Sequence, residues 1–387
     1  MMSRVQKIEL FHVEVPLEES LFPSWYRGYK LDKQNMTLLR LTTNDGHQGV
    51  SAGWSLGREK EGLKDWLPGM LLGLEANDID TVRQRLKERA RWGWNNHWIE
   101  TAFWDLCAKI EGKPLYQMFM ESPQTVESVN VYASTQEVLD VEARLSSLDA
   151  LAATNVNALG LRLSGDMDSD LELVRRVREA VGQDMMLLLD AGQCNRAWTG
   201  DNEIPKWKLS SALDFAAAVE PYRIEWLENP LGMYAYGDLS VLRSESAIPV
   251  AGGRLNQGWH EYKVLIDQGS CDIFRPDATV SGGVKTALQV MDACLRRDLY
   301  FSPYCGHNSF SFLINLHLYA ACPRKFVFEY SWEPGKWGPE QRDTILKAPL
   351  ALNADGTLPV PQEPGLGANI DEAALQQFGT QWLEVEA

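Results

Sequence analysis

From about residue 128 the chain repeats one pattern eight times: a short apolar run, then a helical stretch. The runs fall at 128–133, 156–163, 185–189, 223–227, 248–251, 271–274, 299–302 and 325–328. Short apolar runs bounded by turn residues read as strands buried on both faces, and a buried parallel sheet needs a helical crossover between each pair. Eight such units fit a closed barrel better than an open sheet. The crossover at 169–181 is representative. Ser169 and Glu172 have capping-box spacing, Leu171, Val174, Val177 and Val181 make one apolar face, and Gly182 stops the helix. Two runs end abruptly in an acid, MMLLLDAGQ at Asp190 and RIEWLENP at Glu228. In a barrel the loops leaving the C-terminal strand ends converge there. Adjacent strands would aim both carboxylates at one point, as a hard cation such as Mg²⁺ requires.

Ahead of the barrel, residues 4–54 read as an antiparallel meander. The stretches 5–16 and 36–42 alternate, and Asn44-Asp45-Gly46 supplies a hairpin turn. Between them lies LFPSWYRGYK (21–30), aromatic and basic. It reads equally as a mobile lid or an ordinary surface loop, with Trp25, Tyr26 and Arg27 as candidate substrate contacts. Residues 57–120 read as helical, most clearly at 98–112, where Ile99, Ala102, Phe103, Leu106 and Ile110 recur at helical spacing before Gly112-Lys113-Pro114. The expected division is an α+β capping domain at 1–125, a barrel at 126–330, and a Pro/Gly-rich tail at 331–387 returning to the cap.

The 387-residue length suits two domains. A net charge of −16, from 37 basic and 53 acidic residues, argues against nonspecific binding to nucleic acid or anionic membranes. Six scattered cysteines without a CxxC pair, and an N-terminus without the apolar core of a signal peptide, point to reduced thiols in a cytoplasmic protein.

The stretches NDGHQG (44–49), IETAFWDLCAKIEGKPLY (99–116), LLLDAG (187–192), WLENPL (226–231), IPVAGG (248–253), DIFRPDATVSGG (272–283) and DGTLPVPQEPGLG (355–367) resemble, in order, the mandelate racemase and muconate lactonizing branch of the enolase superfamily. The resemblance implies an α/β fold: a modified TIM barrel, (β/α)₇β, with an N-terminal α+β cap. It implies Mg²⁺ stabilising an enolate formed when a Lys or His removes the proton α to a carboxylate. It places Asp190 and Glu228 as the first two metal ligands, and Arg254 where a third acid is expected. Arg254 then reads either as a replacement counter-charge forking across both acids, or as turned outward with Mg²⁺ held by two acids, water and substrate. Metal binding is therefore expected to be weak or absent.

Where the resemblance expects Lys-x-Lys, the chain has Gly160 and Arg162. Arg162 keeps its proton, so it is a poor base but a good carboxylate anchor; a structural ion pair with a barrel acid is the alternative. Asp277 occupies its family position, Tyr304 stands where a His is usual, and His307 follows three residues later, as a catalyst or a surface residue. Glu329, after the eighth strand, matches a position that contacts the intermediate; a buried acid paired with an arginine is the alternative. The implied protein is a lyase or isomerase, a dehydratase or epimerase, acting on a small hydroxy or sugar carboxylate, and a homo-oligomer. The alternative is a repurposed or inactive member that binds an anion.

Overall fold

The computed structural model describes residues 3–24, 29–93, 95–193, 206–306 and 308–387. The capping sheet is built from β1 (Val5–Leu21), β2 (Leu31–Thr43) and β3 (Gln48–Trp54), an antiparallel meander whose β2–β3 turn carries Gly46 at φ 87°. Helices α1 (Leu63–Leu71), α2 (Ile79–Ala90) and α3 (Glu100–Ile110) cover it. Ile99, Ala102, Phe103 and Leu106 are buried against the sheet as their spacing requires. Ile110, expected on the same face, is 40% exposed, because it lies in the last turn at the rim of the packed layer.

The first expected barrel strand divides at Asn130. Its start, β4 (Ser128–Val129), pairs with a tail segment, and β5 (Val131–Ser134) opens the barrel. There follow α4 (Val141–Ser146), α5 (Leu148–Ala152), β6 (Ala158–Arg162), α6 (Met167–Val181), β7 (Met186–Asp190), α7 (Leu209–Val219), β8 (Ile224–Glu228) and α8 (Tyr236–Glu245). The second half holds β9 (Val250–Gly252), α9 (Gly258–Asp267), β10 (Ile273–Phe274), α10 (Val284–Arg296), β11 (Tyr300–Phe301), α11 (Ser309–Ala321) and β12 (Phe328–Ser331). The eight strands β5 to β12 form one parallel sheet in which β12 lies beside β5. A parallel bridge between Phe301 and Lys325 brings the remaining edges together, giving a TIM-like barrel.

Two expectations are corrected here. The α6 cap is Asp166, whose carboxylate accepts from Ser169 N at 3.0 Å, rather than a Ser169–Glu172 box. The helix begins earlier, and Glu172 instead pairs with Arg175 at 2.7 Å. The last strand sits three residues later than expected because Lys325 is engaged in the bridge to β11, so Glu329 lies within β12 and not after it.

After the barrel come α12 (Pro339–Arg342), β13 (Leu358–Pro359), α13 (Glu372–Phe378) and β14 (Gly379–Glu386). β13 pairs with β4, and β14 joins the capping sheet beside β1. His317 on α11 accepts from Tyr116 N at 3.1 Å and contacts Leu366 O at 3.0 Å, tying barrel, cap and tail together. Five described cysteines are buried and free. Among the described residues no helix is long and apolar enough to cross a membrane.

Side chains on a strand alternate, so every second residue of each barrel strand points inward. Tyr132, Ala158, Leu188, Trp226, Ala251, Ile273 and Val327 form one apolar cluster inside the barrel. Two residues further along five of these strands stand Ser134, Asp190, Glu228, Arg275 and Glu329. The alternation that builds the floor therefore also places the charged layer above it.

Candidate active site

Six charged side chains from six strands or strand ends meet above that floor: Arg162, Asp190, Glu228, Arg254, Arg275 and Glu329, none more than 8% exposed. They form a chain of alternating sign. Arg275 Nε lies 2.9 Å from Glu228 Oε1, off the N–H axis, so this is an ion pair more than a hydrogen bond. Arg275 Nη2 donates to Glu329 Oε2 at 2.6 Å. Arg162 Nη2 lies 3.6 Å from Glu329 Oε1, and Arg162 Nη1 contacts Asp190 Oδ2 directly. Arg254 Nη1 donates to the same Asp190 oxygen at 3.2 Å. Three guanidiniums and three carboxylates sum to zero, and burying charge is tolerable only with such pairing.

The supporting contacts fix the carboxylates further. Asp190 Oδ1 accepts from Gly192 N at 2.8 Å and Asn229 Nδ2 at 3.4 Å. Asn229 Nδ2 also donates to Glu228 Oε1 at 3.1 Å, and Ser134 Oγ to Glu329 Oε1 at 2.7 Å. Burial alone would raise the Glu329 carboxyl; Arg275, Arg162, Ser134 and Arg254 together outweigh it and hold it below the usual range.

Arg254 enters the site because Gly253 turns the chain at φ 95°, a conformation that favours glycine. Its guanidinium carbon sits 5.1 Å from the Tyr304 ring centre. Burial pushes the Tyr304 hydroxyl up to about 12 against the pull of Arg254, so it keeps its proton at neutral pH. Asp277 is fully buried. Its Oδ1 accepts from Thr279 N and Oγ1, both at 2.8 Å, and from Asn315 Nδ2 at 2.9 Å, while Ser311 Oγ lies 3.2 Å from Oδ2. Ser281 Oγ accepts from Asp277 N at 3.1 Å and donates to Arg254 O at 3.1 Å, linking the β9 and β10 loops.

Trp25, Tyr26, Arg27 and His307 lie outside the described residues. Next to the first three, Phe22 N donates to Glu137 Oε1 at 2.7 Å and Ser24 N to Gln136 O at 3.1 Å, on the loop after β5.

The expectation that Arg254 forks across both acids is replaced by a division of labour: Arg254 takes Asp190, and Arg275 takes Glu228. Arg275 was not among the candidate residues. It stands two positions after the floor residue Ile273, as Asp190 follows Leu188 and Glu228 follows Trp226, and that spacing was the available signal. Gly160, in the place of an expected lysine, has a packing reason. A Cβ there would fall 2.7 Å from the Tyr132 ring, and that ring's hydroxyl accepts from Arg275 Nη2 at 2.9 Å. Among the described residues no group of three or more His, Cys, Asp or Glu side chains is arranged to hold a metal ion.

Residues 7–119 match the N-terminal domain of mandelate racemase / muconate lactonizing enzyme, and residues 142–374 match the enolase C-terminal domain-like family. The chain is 24% identical to the L-talarate/galactarate dehydratase of Salmonella typhimurium over 90% of its own length and 83% of that enzyme's. It is 22% identical to the D-galactarolactone cycloisomerase of Agrobacterium fabrum, covering 90% and 92% of the two chains. Its fold superposes on the crystal structure of the Salmonella dehydratase with a TM-score of 0.84 at 22% identity, covering 100% of this chain and 94% of that one. The L-talarate dehydratase of a Polaromonas species, solved with Mg and L-glucarate, gives 0.80 at 21% identity over 100% and 99%. With both of its domains matched, the chain belongs to the mandelate racemase and muconate lactonizing group of the enolase superfamily.

Proposed function

We propose that this protein is a lyase or isomerase, a dehydratase or epimerase, acting on a small hydroxy or sugar carboxylate with Arg254 in the place of a divalent cation. The observation that carries the reading is the buried Arg254–Asp190 pair at 3.2 Å. Mg²⁺ demands near-octahedral oxygen ligands. Asp190 Oδ2 already accepts two guanidiniums, Oδ1 is engaged by Gly192 and Asn229, and the third position offers a cation. The residues present do not fit that ion, so no step is routed through it. The sugar-acid dehydratases and cycloisomerases among the relatives support the substrate class.

In this reading Arg162 and Arg254 bind the substrate carboxylate and stabilise the negative charge that develops on its oxygens when the α-proton leaves. Fixed cations in a site shut off from water are effective at that task. Tyr304, held protonated by burial, gives its proton to a departing β-hydroxyl, which leaves as water. On sequence grounds we assign the α-proton to His307, with Asp277 as its orienting partner. Loss of water leaves an enol that tautomerises to the 2-keto acid; return of the proton to the opposite face instead gives the epimer.

A second reading, anion binding without turnover, is favoured by one observation: each of the six buried charges lies against an opposite charge of the protein itself. Solvent deuterium incorporation into a library of acid sugars separates the two. Exchange at the α-carbon, undiminished by chelator, is expected. Tight binding of one acid sugar with no exchange would establish the second reading, and exchange that needs added Mg²⁺ would remove the role given to Arg254.

A further inference from the structure

Arg275 is fully buried at the centre of the barrel, and every face of its guanidinium is used. Nε is 2.9 Å from Glu228, and Nη2 donates to Glu329 at 2.6 Å and to Tyr132 Oη at 2.9 Å. Nη1 is 3.3 Å from Ser302 Oγ and 3.4 Å from Ser302 O. Its guanidinium carbon lies 4.8 Å from the Trp226 ring centre and 5.7 Å from that of Tyr132. A planar fork held along its edges and over its faces has no rotamer to escape into. Glu228 therefore meets a permanent cation from below, whatever happens at residue 254.

We propose that Arg254 and Arg275 divide between them the charge that one divalent ion would supply to Asp190 and Glu228, so that tight metal binding returns only when both are removed. This rests on the reading of Arg254 given above and extends it to a positioning residue. Two guanidiniums carry the charge of one divalent ion, and each takes one of the two acids such an ion would share. The replacement is a linked set. Gly160 makes room for the Tyr132 ring, and Tyr132 aims Arg275. A lysine at residue 160 would occupy the volume that this support needs.

The test is Mn²⁺ binding, by calorimetry and by the electron paramagnetic resonance of free ion, on the chelator-treated full chain and its variants. The unmodified protein is expected not to bind. Arg254→Glu restores a third acid but leaves Glu228 paired, so it is expected to bind weakly. Arg254→Glu/Arg275→Gln is expected to bind at least about tenfold more tightly than Arg254→Glu, a gain of about 1.4 kcal/mol. Because Arg275→Gln strands two buried acids, Arg254→Glu/Arg275→Gln/Glu329→Gln is measured beside it, with thermal melting to confirm the fold. It is expected to show the same gain. Equal affinity in Arg254→Glu and the folded multiple variants, or no binding by any of them, overturns the role of Arg275 and leaves that of Arg254 standing. Tight Mn²⁺ binding by the unmodified chain overturns both.

Discussion

Two glutamates in this protein are equally buried and meet opposite fates. Glu329, at the barrel centre, is 0% exposed, and Glu100, at the seam between cap and barrel, is 1% exposed. Burial pushes both carboxyls up. At Glu329 the cations Arg275 and Arg162 sit within 2.6 and 3.6 Å and reverse the effect, so its carboxyl is held low. Glu100 accepts from Trp104 Nε1 at 3.0 Å and from Lys285 N at 3.1 Å, with Arg83 Nε no closer than 3.7 Å, and burial pushes it up to about 7. Neutral donors satisfy hydrogen bonds without stabilising a full charge as a nearby cation does. Between these two glutamates the facing cations, not the depth, make the difference.

The sharpest way to break that contrast is to take the cation from the barrel centre. Arg275→Met leaves Glu228 and Glu329 buried beside an apolar side chain. Removing one partner of a buried pair costs about 3–5 kcal/mol, because the remaining charge is stranded. Urea unfolding should show a loss of this size, and Arg275→Met/Glu329→Gln should recover part of it. An unchanged midpoint would mean that the surrounding serines and Tyr132 suffice to hold the acids.

Smaller, and of opposite design, is the effect at the seam. Glu100 shifts from its ordinary 4.5 to about 7 on folding. Between those values the folded chain binds more protons than the unfolded chain, so this group's contribution to stability falls as pH rises through that window. At about 1.4 kcal/mol per unit the loss is on the order of 3–4 kcal/mol. His317 acts the other way. Burial lowers it from 6.5 to about 4, so its contribution is intact above 6.5 and is lost as pH falls towards 4. The two slopes oppose each other between about 4.5 and 6.5. Glu100→Gln should therefore unmask a stability that rises from pH 4 to 6.5 and should raise the melting temperature at pH 8 relative to the unmodified chain. A melting profile with the same pH dependence in both proteins would show that Arg83 and Lys285 keep Glu100 ionised after all.

These two regions also differ in how far they could be read before the fold was known. Asp190 and Glu228 were legible because each ends an apolar run, and the barrel followed from eight such runs with helical crossovers. Arg162, Arg254 and Glu329 could be located as strand-end charges, and the structure brings all three together. Their pairing could not be read, because it crosses the barrel interior. Arg275, directly after β10, reaches β8 and β12, strands to which β10 is not hydrogen-bonded. Gly160 looked like a lost lysine; its use becomes visible only when the Tyr132 ring is seen in the same volume. Glu100 gave no signal beyond its place in an amphipathic helix, since its burial depends on α10 arriving from a distant part of the chain. Its protonation is a property of the assembled seam.

The smallest effect is expected where a single residue meets both environments. Lys285 donates its backbone N to buried Glu100 at 3.1 Å and its Nζ to Asp80 at 2.6 Å, an acid 77% exposed in its side chain. The second contact is the shorter. Water solvates both of its partners when it breaks, and salt screens it while it lasts, so such pairs contribute about 0–1 kcal/mol. Asp80→Asn is expected to shift the urea midpoint barely at all, and less still in 1 M salt (Debye length about 3 Å). The same substitution should leave the pH profile set by Glu100 in place, because the backbone N of Lys285 does not move with its side chain. A loss above about 2 kcal/mol in Asp80→Asn, well outside the range for exposed pairs, would mean that the Lys285 side chain positions the start of α10, and that the exposed and buried acids of the seam act as one unit.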